Sequence, residues 1–138
     1  MKKKLTVTIN SFSYKRALPE DKTENGGGFI FDCRAVHNPG RYEQYKELTG
    51  KDQDVILFFE KEPEMSKFLR NVSALIDQSV QKYIERGFSH LMVSFGCTGG
   101  QHRSVYCAEQ LAQQLRDQYD INVHVHHIEQ EIIKKEQK

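Results

Sequence analysis

Several things are missing from this sequence, and each absence removes a class of function. No stretch of its 138 residues is long and apolar enough to span a bilayer. Met1-Lys2-Lys3-Lys4 runs into the alternating Leu5-Thr6-Val7-Thr8-Ile9, where a signal peptide would have an unbroken apolar segment. The expectation is a cytoplasmic protein with no membrane partner. Charge of one sign is also lacking: 20 Lys and Arg face 19 Asp and Glu, a formal net charge of +1, so any basic surface has to be local. The three cysteines, at 33, 97 and 107, form neither a disulfide framework nor zinc-ribbon spacing, which agrees with a reducing compartment. No metal or cofactor is expected. Internal repeats and low-complexity tracts are missing, and so is the G-x-x-x-x-G-K-[ST] loop of ATP-binding domains.

What is present reads as strands alternating with helices. Leu5, Val7 and Ile9 alternate with Thr6, Thr8 and Asn10, a strand with one buried face. A polar loop is expected from about Ser11 to Gly28, broken by Pro19 and Gly26-Gly27-Gly28. Phe29-Ile30-Phe31 reads as a short strand ending at Asp32-Cys33-Arg34, with a turn at Asn38-Pro39-Gly40. Val55-Ile56-Leu57-Phe58-Phe59 suits strand or helix, and Asp52 as a cap with Asp54 in the first turn favours helix. Met65, Phe68, Leu69, Val72, Leu75, Ile76, Val80, Tyr83 and Ile84 recur at helical spacing and stop at Gly87. A buried strand from Leu91 to Phe95 and a helix striped by Val105, Ala108, Leu111, Ala112, Leu115 and Tyr119 follow. Ile121, Val123 and Val125 alternate with Asn122, His124 and His126 in a last strand with one wet face. The class is α/β: a single-domain sandwich over residues 1–138, with a small, mostly parallel sheet flanked by helices. Residues 1–4 and 129–138 are expected to fray.

Between the buried strand and the next helix lies Gly96-Cys97-Thr98-Gly99-Gly100-Gln101-His102-Arg103-Ser104. A strand, a glycine-bearing loop and a helix start aim backbone N–H groups and the helix dipole at one anion. Gly99 and Gly100 let a phosphate approach the backbone, and Arg103 offers a planar fork for two oxygens. Cys97, Thr98, Gln101, His102 and Ser104 complete the loop as ligand-binding candidates. Parallel sheets bind ligands beyond the carboxyl ends of their strands, so Asp32 and Arg34 are grouped with the loop as an opposite wall.

This loop, with Phe31-Asp32-Cys33-Arg34 and Asn38-Pro39 upstream and Leu48-Thr49-Gly50 between, resembles the C-terminal domain of the RapZ family of RNase adapter proteins. In that family a P-loop domain precedes this one, and the C-terminal domain binds small regulatory RNA and senses glucosamine-6-phosphate. The resemblance implies that Asp32, Arg34, Cys97, Thr98, Gly99, Gly100, His102 and Arg103 line a site for a phosphosugar and for RNA phosphate. It further implies a regulatory adapter without chemistry of its own, a partner ribonuclease and homo-oligomers. The tail from Glu129 to Lys138 is mixed in charge, where the family end is basic and touches RNA.

An enzymatic alternative is written in the same loop. Cys97 to Ser104 spells C-x-x-x-x-x-R-S, the phosphate loop of cysteine-dependent phosphatases. There the thiolate of Cys97 would attack phosphorus, Arg103 and the amides would hold the oxyanions, Ser104 would help the thiolate leave, and Asp32 would be the general acid. Other features are weaker. His124, His126 and His127 lack a matching ligand set and read as a solvated or interface face. Lys2 to Lys4 read as a charged flank on an edge strand. Tyr14, Lys15 and Arg16 combine a ring with positive charge, which suits stacking on a base but is commoner as a solvated loop.

Overall fold

The computed structural model describes residues 4–137. Its centre is a four-stranded, all-parallel sheet: β1 (Thr6–Ser13), β2 (Phe29–Asp32), β3 (His90–Cys97) and β4 (Asn122–His127), in the order β2-β3-β1-β4. The helices are α1 (Gln53–Glu60), α2 (Pro63–Arg86), α3 (Arg103–Gln118) and α4 (Ile128–Glu136). Two short 3-10 turns, Pro39–Arg41 and Glu43–Tyr45, link β2 to α1.

One face of the sheet makes the core. Leu5, Val7, Ile9, Leu91, Val93 and Phe95 pack with Val55 and Phe59 of α1, Val72, Ile76 and Val80 of α2, and Leu111 and Leu115 of α3. The alternation of period two in β1 and of period 3.6 in α2 and α3 is what brings these side chains together. The second face is more polar: Asn10 Nδ2 donates to Ser94 Oγ at 3.1 Å, both buried. Cys107 lies in the core as expected, its Sγ 3.5 Å from Met65 Sδ.

Four expectations are corrected. β1 does not give way to loop at Ser11 but runs on to Ser13, because both serine hydroxyls find partners indoors. Ser11 Oγ meets His127 Nδ1 at 2.7 Å, and Ser13 Oγ donates to the Thr98 carbonyl at 2.6 Å. β1 is also no edge strand, since β3 and β4 flank it. Lys2 and Lys3 lie outside the described residues, and Lys4 is tied to Asp120 at 2.7 Å. Asp52 occupies the N-cap position of α1, yet its carboxylate takes the Thr49 N–H at 2.7 Å and caps nothing in the helix. The tail, finally, forms α4, with Glu129 and Glu131 in its first turn and Lys134 and Lys135 in its last, the arrangement that suits a helix dipole.

Among the described residues, no helix is long and apolar enough to cross a membrane.

Candidate functional site

All four strands point the same way, so their carboxyl ends share one edge of the sheet. There β3 ends at Cys97 and α3 begins at Arg103, leaving residues 98–102 as a tight connection. Its back is pinned to β1: Tyr14 N donates to the Cys97 carbonyl at 3.0 Å, beside the Ser13 hydroxyl on Thr98 O. Gly100 has φ +64°, and a Cβ there would come within 3.0 Å of Ser13 N and 2.8 Å of Glu129 Cβ. Gly99 is the opposite case, since a Cβ added to it would meet nothing within 4 Å.

The front of the loop faces a cavity of about 400 Å³, lined by Cys97, Thr98, Gly99, Gln101, His102 and Arg103 on one side and by Asn38, Gly40 and Lys46 on the other. Among the described residues, no protein acceptor takes the amide N–H of residues 98–102. His102, the N-cap of α3, gives its helix no side-chain cap. The first turn of α3 therefore keeps its unpaired donors and the positive end of its dipole at the cavity rim.

Three successive side chains of the loop reach across to backbone carbonyls of the 34–48 segment. Gln101 Nε2 donates to Lys46 O and Leu48 O, both at 2.7 Å. His102 Nε2 lies 2.8 Å from Tyr45 O, which makes that nitrogen the donor. Arg103 Nη1 donates to Arg34 O at 2.8 Å and Val36 O at 2.9 Å. Arg103 is only 5% exposed, and its buried Nε has no protein partner. Burial holds the His102 imidazole below its ordinary pKa, and the neighbouring Arg103 charge acts in the same sense.

Asp32 and Arg34 stand at the same sheet edge, Asp32 in register with Gly96, but neither lines the cavity. Their side chains are engaged with each other: Arg34 Nε and Nη2 donate to the Asp32 carboxylate at 2.8–3.1 Å. These bonds hold the Asp32 carboxyl below its ordinary pKa, so it is a poor proton donor at neutral pH. The Arg34 guanidinium sits 4.1 Å from the centre of the Tyr14 ring. Cys97 is 2% exposed, with Sγ 3.1 Å from Ser104 Oγ. Gly100 and Ser104 lie behind the cavity wall, outside its lining.

The wall formed by Asn38, Gly40 and Lys46 was not assigned to the site from sequence. Asn38-Pro39-Gly40 gives only a turn signal, and nothing in the spacing relates Lys46 to a loop more than 50 residues on. Asn38 Oδ1 accepts from Gly40 N at 2.9 Å and so holds that turn against the cavity.

The sequence model of the RapZ C-terminal domain matches residues 5–131. The chain belongs to that family. Similar proteins include a nucleotide-binding protein of Nitrosomonas europaea, 44% identical over 82% of this chain and 38% of its own length. Another, from Idiomarina loihiensis, is 39% identical over 92% of the chain and 43% of its own length. A third, from Dinoroseobacter shibae, is 39% identical over 81% and 36% respectively. The chain thus spans about four-tenths of the length of these relatives.

Proposed function

We propose that this RapZ-type domain binds a small phosphate monoester of the phosphosugar class in the cavity in front of residues 97–103, and that it works as a ligand-responsive adapter. One observation carries the reading: Thr98, Gly99, Gln101 and His102, whose amides no protein acceptor takes, the uncapped start of α3 and the Arg103 residue line a single cavity. Oriented N–H groups at a helix start are the usual protein answer to a phosphate. A volume of about 400 Å³ falls in the range of small-ligand sites. Arg103 then contributes its charge and remaining N–H donors, while Nη1 stays on the protein's own carbonyls. A phosphorylated aminosugar such as glucosamine-6-phosphate is the ligand to which family membership points.

RNA phosphate is the second ligand proposed for this site. The Arg34 guanidinium stacked on Tyr14, half-exposed at the site's edge, is a platform on which an unpaired base can continue the stack. A phosphosugar and RNA then compete, and each weakens the other by the same factor. A ribonuclease partner and assembly into homo-oligomers follow from the same family reading.

Gly99→Asp tests the site with little risk to the fold, because the new side chain enters open space. A carboxylate at the cavity mouth is expected to lower glucosamine-6-phosphate affinity by about tenfold or more in calorimetry, the scale of losing a hydrogen bond to a charged group. It is expected to weaken RNA binding in parallel. Affinity unchanged from wild type would reject the placement. The 3.1 Å approach of Ser104 Oγ to Cys97 Sγ favours the cysteine-phosphatase arrangement as a second reading. Phosphate release that Cys97→Ser abolishes would establish it, and tight binding without turnover would leave the adapter.

A further inference from the structure

Helix α4 has no fully buried residue: it is attached through the half-buried Ile128, Glu129, Gln130 and Ile132. Nine residues of isolated helix are unstable in water, and α4 stays helical because it is docked. The principal tether is Glu129, which takes Arg16 Nε at 2.9 Å and Nη2 at 3.0 Å in a two-bond pair and is itself only 13% exposed. Arg16 Nη2 also lies 4.0 Å from Glu136 at the far end of the helix. Just before α4, His127 bridges Ser11 Oγ at 2.7 Å and Glu109 Oε2 at 2.8 Å. The first turn is thereby set against both β1 and α3.

Glu129 also touches the anion loop from behind. A Cβ at Gly100 would fall 2.8 Å from Glu129 Cβ, so the left-handed Gly100 backbone and the first turn of α4 occupy adjoining space. The same stretch of β1 that anchors the loop through Ser13 and Tyr14 leads directly to Arg16. Loop and helix thus share one support, with the ligand cavity on the opposite side of the loop.

We infer that α4 is a regulatory back-plate of the anion loop, its docking behind Gly100 and phosphate binding in front of it each favouring the other. This rests on the anion-site reading above. A docked first turn holds Gly100 and β1 in the arrangement that turns the loop amides to the cavity, and an occupied cavity fixes the same arrangement from the front. The two events are therefore linked, and the linkage has to be reciprocal.

The test uses the full chain, with inorganic phosphate as the probe. Phosphate affinity is measured by calorimetry, and amide hydrogen exchange is followed through residues 131–136, with and without saturating phosphate. Saturation is expected to slow exchange in α4 by about fivefold or more, the lower end of typical coupling. Arg16→Ala is expected to speed that exchange and weaken phosphate binding to a similar degree, although Arg16 does not line the cavity. Arg16→Lys keeps the charge without the two-bond geometry and should fall between. Lys4→Ala breaks an ion pair at the far end of β1 and should change neither quantity. Phosphate binding with α4 exchange unchanged would overturn the coupling alone, as would an Arg16→Ala chain whose helix is loosened at wild-type affinity. No phosphate binding in the wild type would overturn the anion site and the coupling with it.

Discussion

A guanidinium is seldom buried unless its protons find acceptors, and Arg103 has two of them in the carbonyls of Arg34 and Val36. Sequence placed Arg103 at the helix start but gave no hint of those acceptors, which arrive from 69 and 67 residues away. The motif therefore marked Arg103 at the start of the helix but not the two carbonyls that take its Nη1 protons. Arg103→Ala is expected to cost about 3 kcal/mol in urea unfolding, two hydrogen bonds to a charged group at roughly 1.5 kcal/mol each. Arg103→Lys should recover little of it, because an ammonium cannot reproduce the fork. A loss below about 1 kcal/mol would mean these bonds are not structural. His102 makes a pH prediction. Its pKa is lowered on folding, so the unfolded chain takes up the proton first as the pH falls. The stability it contributes is complete above the unfolded value of about 6.5 and is lost as the pH drops from there through the folded value. Urea midpoints at about pH 7.5 and 5.5 should differ more in the wild type than in His102→Gln. Equal differences would exclude His102 as the source.

At the scale of elements, α2, α3 and β3 were legible because their stripes run long enough to show a period. The α1 segment was legible as a helix, although the cap that argued for it turned its carboxylate to Thr49. What could not be seen was the end of β1 and the whole of α4. Ser11 and Ser13 look like loop residues until tertiary partners consume their hydroxyls, and α4 buries no residue fully, its half-buried Ile128 and Ile132 being too few to show a period. Ser13→Ala measures how much the last turn of β1 matters to the loop. It removes the bond to Thr98 O and leaves Lys15 N without its Ser13 Oγ acceptor. A destabilisation of about 1–3 kcal/mol is expected, with faster amide exchange concentrated in residues 97–102. A uniform rise in exchange across the sheet would show that Ser13 supports the core and not the loop.

For the molecule as a whole, parallel strands decide where function is gathered, since every carboxyl end, and every loop leaving one, meets at one edge. With a net charge of only +1, the chain offers no broad positive field. In the proposed anion site, selectivity would then come from N–H groups and one buried guanidinium held in place. The clamp of Gln101, His102 and Arg103 bears on how such a site changes over time. All five acceptors across the gap are main-chain oxygens, those of Arg34, Val36, Tyr45, Lys46 and Leu48. Each of these residues offers its carbonyl whatever side chain it carries. The clamp itself therefore places no demand on the side chains at these five places, whatever other contacts those side chains make, yet gaining or losing a single residue between Arg34 and Leu48 would move every later oxygen out of step with the loop. What the clamp holds constant in that wall is its length.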